Sequence, residues 1–393
     1  MSAQIRIGDQ APFIFYPMAD LHARVQRTYQ LAKALADSGH TCFFVNPHLG
    51  RQFPKPHFQS PVSRFGLIAP NLVELHLRLP REPVYHSRLL NASEISCLSD
   101  AISTLRRLTG RRFTQILSLP TWLATAENLR SRFGWPIVYD CHDLISGFRG
   151  ISRDIVAAES RTFAQADHVF FSSKRLFDLH TSGSPALKNK STILRNAVDP
   201  GHFAGAAEQR LRRAPTSPGV IGYFGALDEW FDIDALRQCL RRFPERKFQL
   251  IGRVEWDAIR SLASFPNLEL VGEVAYERLP DFIAGFDVAL IPFRVNALTS
   301  ATNPIKLYEY FSAGAPVVSS RLSEVECFED LVYVAENSEA FPECVSRALD
   351  ETDPEKVRRR REVAAMETWS RRGSELAEVL SACFANACVH EER

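Results

Sequence analysis

The sequence predicts an α/β protein built of two Rossmann-like domains, each a parallel sheet flanked by helices, with the two sheets facing a central cleft. Three observations lead there. The chain has 393 residues, too long for one ordinary hydrophobic core. Short apolar runs recur at the spacing of strand–helix–strand units. Between two such series, residues 199–218 turn polar and small, with Ala204-Gly205-Ala206-Ala207 and Pro215-Thr216-Ser217-Pro218, which reads as a linker.

The first series opens with a strand at 13–16, a helix at about 23–38, Gly39 as its stop and a strand at 41–46. Within that helix Val25, Tyr29, Ala32 and Leu35 form the apolar stripe, and Arg24, Arg27 and Lys33 lie off it. Strands at 114–119, 137–139, 169–171 and 192–194 follow, with a helix at 155–166; the Pro-rich region 54–83 yields no defined elements. The second series has strands at 220–224, 248–251, 268–271, 288–291 and 316–319. Helices at 233–242, 257–263, 276–286 and 304–313 alternate with them, and a last amphipathic helix spans 374–388.

Composition narrows the class. Hydrophobic residues make up 45% and charged residues 24%, values of a packed globular protein. Lys plus Arg number 47 against 46 Asp plus Glu, so no global field attracts polyanions and nucleic acid is not expected as a partner. The arginine runs 210–213 and 358–361 read as solvated surface, with peripheral contact to anionic lipid as the sharper alternative. The eight cysteines show no C-x-x-C pair and no histidine partner at metal-ligand spacing, and read as reduced, mostly buried thiols. No run approaches the ~18 apolar residues of a membrane span, and residues 1–10 lack a signal-peptide core, so a cytoplasmic location is expected.

The segment 300–320 carries the most chemistry. Asn303 suits a helix N-cap, Pro304 the first helical position and Gly314 the stop before the next strand. The preceding loop, 294–302, leaves the carboxyl end of a buried strand and feeds a helix N-terminus, a place where a diphosphate would sit well. Lys306 and Glu309, three residues apart on one helix face, could meet phosphate and ribose hydroxyls respectively; a solvated i,i+3 pair is the plain alternative.

Lys306-Leu-Tyr-Glu-Tyr with Ser312-Ala-Gly-Ala-Pro-Val-Val resembles the donor-binding motif of the retaining GT-B glycosyltransferases of family 4. The resemblance extends to Gly222-Tyr-Phe-Gly225, Leu250-Ile-Gly-Arg253, Asn267-Leu-Glu-Leu-Val-Gly272 and Leu279-Pro-Asp-Phe-Ile283 with Asp287. Arg195-Asn-Ala-Val-Asp199 is similar to the crossover between the two domains, and Trp369 fits a terminal helix that returns to the first. The expected division is 1–198 with 370–393, the acceptor side, and 199–369, the donor side. The resemblance implies transfer of a sugar from a UDP-, GDP- or ADP-linked donor to a hydroxyl of a glycan or lipid-linked acceptor, with retention, in polysaccharide biosynthesis. Such an enzyme would work in the cytoplasm or at the inner face of the membrane. Glu309 takes the place of the ribose-binding glutamate, and Asn303, Thr302, Gly225 and Tyr308 join it on the donor side.

The chain departs from the family pattern at two places. Ala301 stands where a second glutamate often helps to hold the sugar, so backbone amides of 298–302 are the expected replacement. The usual Arg and Lys after the first glycine turn are also missing from Gly225-Ala-Leu-Asp-Glu-Trp-Phe-Asp232, so Arg253 becomes the candidate second cation, with an ordinary loop arginine as the alternative. With Lys306 and a helix N-terminus to stabilise the leaving diphosphate, and no Asp-x-Asp cluster, no metal or other cofactor is expected. In the first domain His142 and Asp143 end a strand and could contact the sugar or take the acceptor proton, or simply cap the next element. His22 and Arg24, after the first strand, fall where the family has acceptor- and phosphate-side loops. Two other classes remain open, a nucleotide-sugar epimerase and a non-catalytic binding partner. Epimerases of this fold carry a Gly-Gly where Thr302-Asn-Pro304 stands here, and a dinucleotide fingerprint G-x-G-x-x-G is absent after 13–16 and 220–224.

Overall fold

The computed structural model of the chain describes residues 11–20, 25–47, 64–77, 79, 85–212 and 219–384. It divides into two compact units, Met1–Arg195 with Trp369–Arg393 and Asn196–Thr368. The expected boundary at 198/199 moves by three residues because Asn196 and Val198 are tied into the second unit. The Asn196 amide donates to Asn303 Oδ1 at 2.8 Å, and the Val198 amide to the Glu367 carbonyl at 3.0 Å.

The first unit is built on β1 (Phe13–Tyr16), β2 (Cys42–Pro47), β3 (Arg64–Ala69), β4 (Leu72–Leu77), β5 (Thr114–Leu117), β6 (Ile137–Cys141), β7 (His168–Phe171) and β8 (Ser191–Ile193). They form one sheet in the order β3-β4-β2-β1-β5-β6-β7-β8, parallel at every pairing except β3 with β4. That antiparallel pair turns at Asn71, a non-glycine residue at φ 61, and lies where the sequence yielded no elements. Strands β1 and β4 to β7 are buried along their described length, as expected of a sheet covered on both faces.

The first helix is Arg27–Asp37, and Arg27 does not lie off its buried face as the periodicity suggests. It is 2% exposed and grips Asp140, itself 1% exposed, with Nε 3.0 Å from both carboxylate oxygens and Nη2 2.8 Å from Oδ1. The terminal helix runs over Trp369–Phe384, five residues earlier than expected, and packs on Arg27–Asp37. The Arg371-Arg372-Gly373 stretch is therefore not a break: a Cβ on Gly373 would stand 2.9 Å from Ala34 Cβ, so the glycine lets the two helices approach closely.

The second unit has β9 (Val220–Phe224), β10 (Lys247–Ile251), β11 (Leu268–Gly272), β12 (Phe286–Ile291), β13 (Val317–Ser320) and β14 (Val332–Ala335). Their order, β11-β10-β9-β12-β13-β14, is the doubly wound arrangement, with every pairing parallel. The order reverses between β9 and β12, and ligands of such sheets bind beyond the carboxyl ends of the strands at that point.

Two expectations fail in this half. Most of the supposed linker is the helix Pro200–Arg212, which packs on the helix Leu279–Gly285. The Asp199 carboxylate accepts from the Gly201 and His202 amides at its start, and Phe203, Ala206 and Ala207 are buried, so the small residues form a contact face. The arginine run 358–361 is also not uniformly solvated: Arg360 is fully buried, bonded to Glu351 and to the Leu331 carbonyl at 2.9 Å. Four of the described cysteines, Cys42, Cys141, Cys239 and Cys344, are buried, and Cys97, Cys327 and Cys383 are exposed. Among the described residues no helix is long and apolar enough to cross a membrane.

Candidate functional site

At the switch point of the second unit the loops after β9, β10 and β12 are sewn together by their backbones. The Asp232 amide donates to the Pro292 carbonyl and the Arg294 amide to the Trp230 carbonyl, both at 2.8 Å, while the Leu227 amide donates to the Arg253 carbonyl at 3.0 Å. Glycine makes this closeness possible. Gly225 sits at φ 133 and Gly252 at φ 148, and a Cβ on Gly252 would stand 1.9 Å from the Gly225 carbonyl oxygen.

Lys306 lies over that turn. A Cβ on Gly225 would be 3.1 Å from Lys306 Cε, and the ammonium stands 5.3 Å from the Tyr223 ring centroid and 4.9 Å from that of Phe293. Two aromatic faces thus hold the cation above the glycine turn. The helix that carries it, Ile305–Ser312, has no side-chain cap at its N-terminus and ends before Gly314 at φ 69.

Glu309 is one turn further on and only 5% exposed, so it is not half of a solvated pair. It accepts a hydrogen bond from the Tyr276 hydroxyl at 3.2 Å. Burial pushes its carboxyl up to about 7, against the opposing pull of the Lys306 charge and the Tyr276 hydrogen bond. The ring of Tyr276 is stacked on His202, with centroids 4.4 Å apart and planes 4° from parallel. Sequence reasoning missed both residues: Tyr276 read as the start of a helix and His202 as part of a linker, and no local pattern pairs them.

The other donor-side candidates fare differently. Asn303 is not the N-cap, since Pro304 holds that place; its side chain is buried, accepting from the Asn196 amide and donating to Tyr308 Oη at 3.0 Å and Glu324 Oε2 at 3.2 Å. Tyr308 is 1% exposed and its hydroxyl serves that same buried network. Residues 294–302 are not a loop throughout, because Ala297–Ala301 is a short helix closed by a capping box between Asn296 and Thr299. The amides of Thr299, Ser300 and Thr302 are engaged within it, and the Thr302 hydroxyl donates to the Leu298 carbonyl. Arg253 follows Gly252 on the loop that joins Leu227, but its guanidinium is half exposed and lies 3.1 Å from Glu255.

In the first unit His142 and Asp143 follow the last residue of β6. His142 Nδ1 is 3.0 Å from the Asp140 carbonyl oxygen, Nε2 faces the Met18 sulfur and stands 3.9 Å from Asp143 Oδ2, and the His142 carbonyl accepts from Ser172 Oγ at 2.7 Å. The buried Arg27–Asp140 pair fixes the strand end from which both leave. His22 and Arg24 lie outside the described residues.

Comparison with known proteins agrees with the two-unit fold. The chain, over 95 to 96% of its length, superposes on the whole of sucrose-phosphate synthase from Thermosynechococcus elongatus at 14% identity with a TM-score of 0.75. It does the same on Anabaena HepE, solved in complex with UDP and glucose, at 14% identity and 0.67. The fold is GT-B. Residues 233–378, which hold the helix of Lys306 and Glu309, match the family described as glycosyl transferase-like. A Bacillus subtilis (strain 168) protein named "Putative teichuronic acid biosynthesis glycosyltransferase TuaH" is 24% identical over 263 residues, 62% of this chain and 66% of that protein.

If the helix Ile305–Ser312 binds a ribose through an ionised Glu309, affinity for a nucleoside diphosphate depends on pH. The carboxyl, raised to about 7, is ionised above that pH and protonated below it. Affinity is therefore expected to be constant above pH 8 and to fall about 10-fold by pH 6, one unit below the midpoint. Calorimetry on Glu309→Gln should show only the shallow dependence that comes from the ligand's own phosphate; an equally steep fall there would place the titrating group elsewhere.

Proposed function

We propose that the chain transfers a sugar from a nucleoside diphosphate sugar to a hydroxyl acceptor, with retention of anomeric configuration. The observation that carries this reading is the buried Glu309 one helical turn from a Lys306 held over a glycine turn, at the switch point of a doubly wound sheet. The carboxylate accepts the two ribose hydroxyls in place of the Tyr276 hydroxyl. Lys306 and the uncapped helix N-terminus meet the diphosphate, and as the bond to the sugar breaks they stabilise the charge that develops on it. No metal is required for that step, since the cation is already supplied. On the acceptor side, among the described residues, His142 and Asp143 are assigned to contact the sugar or receive the acceptor proton.

The complexes of Anabaena HepE with UDP and with UDP-glucose make a uridine donor the first to test, and the TuaH relationship makes a growing polysaccharide the first acceptor class. The test is release of free nucleoside diphosphate from UDP-, GDP- and ADP-sugars in the presence of glycan acceptors. Turnover with one base, giving an alkali-stable α-linked product from an α-linked donor, supports the reading; no release from any donor, with or without acceptor, contradicts it.

A further inference from the structure

We propose that Cys141, Glu159 and His180, none of them assigned a part in transfer, form a binding site within the first unit for a divalent transition-metal ion of the zinc class. Cys141 ends β6, Glu159 lies on the helix Arg153–Gln165 and His180 on the helix Lys174–Thr181, so three separate elements converge. One ligand atom from each stands within 4.8 Å of the other two. A tetrahedral zinc ion with bonds of about 2.0 to 2.3 Å sets its ligand atoms roughly 3.3 to 3.8 Å apart, so the cluster closes on the ion with side-chain shifts of about 1 Å.

The donor set suits such an ion rather than a hard one: one thiolate, one imidazole and one carboxylate, a mixture that zinc and cobalt accept and that calcium or magnesium does not. Charge balances as well. Cys141 is 1% and Glu159 6% exposed, a setting that disfavours two separate anions. A divalent cation reverses this: the thiol and the carboxyl give their protons to solvent, and two anionic ligands neutralise the ion.

The histidine supplies the independent observation. Its Nε2 is buried and makes no hydrogen bond among the described residues, an orphaned state that calls for an explanation. The ring is held in place, 4.7 Å from Phe163 and stacked at 15° on Phe171. Tyr139 donates to Glu159 Oε1 at 2.8 Å, the outer contact that orients a ligating carboxylate. The fourth position falls to water. Bound there, the ion would clip two helices to the end of β6, the strand that continues into His142 and Asp143.

The test uses the whole chain, dialysed against a chelator and titrated with cobalt(II). The expected result is one cobalt per chain, a near-ultraviolet thiolate-to-cobalt charge-transfer band, tetrahedral visible bands and displacement of all of them by zinc. Cys141→Ser should abolish the charge-transfer band and His180→Gln the stoichiometric uptake, while Cys383→Ser should leave both, although Cys383 Sγ lies 3.5 Å from His168 Nδ1. A wild type with no sulfur band overturns the proposal without any variant. So does a band that survives Cys141→Ser, disappears in Cys383→Ser, or is undiminished in His180→Gln; circular dichroism confirms that each variant is folded.

Discussion

Lys306→Ala is expected to lower turnover of the sugar donor by about 10²-fold or more, while binding of the nucleoside diphosphate weakens much less. The asymmetry follows from where charge develops. In the proposed site the helix N-terminus already serves the diphosphate in the ground state, whereas bond cleavage would add negative charge next to the ammonium, and removal of one such group commonly costs about 10²- to 10³-fold in rate. The ammonium needs no reorganisation at that moment, because Tyr223 and Phe293 hold it above Gly225. Lys306→Arg should not restore activity: the ammonium is held between the Tyr223 and Phe293 faces, 5.3 and 4.9 Å from their centroids, and a planar guanidinium does not place its charge at the same point as a compact ammonium. Steady-state kinetics check this directly, and a Lys306→Ala enzyme within threefold of wild-type turnover would transfer the role to another cation, Arg253 first.

Arg27→Met is expected to destabilise the first unit by about 3 to 5 kcal/mol, because it leaves the Asp140 carboxylate buried without its partner. The pair itself need not add that much stability, since burying both ions carries its own desolvation cost. The double replacement Arg27→Met with Asp140→Leu should therefore recover a large part of the loss. Urea denaturation of the three proteins tests this, and a double variant no more stable than Arg27→Met would show that the two side chains act separately. Because Asp140 precedes Cys141, His142 and Asp143, the single variant should also disturb whatever the strand end presents.

The architecture was legible because β9 to β13 are apolar runs bounded by glycine and proline, and the helix Ile233–Arg242 matches its expected range. Recognition of the Lys306 and Glu309 spacing came from the same local order. What stayed hidden depends on contacts distant in sequence. Ala204 to Ala207 look like a linker until Phe203, Ala206 and Ala207 are seen buried in the helix Pro200–Arg212. Arg27 falls off the apolar stripe by periodicity, and only Asp140, 113 residues away, draws it inward. Asn303 has the composition of an N-cap, yet Asn196 and Glu324 claim its side chain. Cys141, Glu159 and His180 show no ligand spacing along the chain, because their meeting depends on how two helices lie against β6.

The central claim is that Glu309 reads the ribose of a nucleoside diphosphate. Calorimetric titration of UDP, GDP and ADP into the wild type and Glu309→Ala at pH 8 tests it most directly. The account predicts that one nucleotide binds with 1:1 stoichiometry and that the variant loses about 1 to 3 kcal/mol of affinity, the cost of leaving ribose hydroxyls unpaired in a buried site. Binding of none of the three, or equal affinity in wild type and variant, would contradict it.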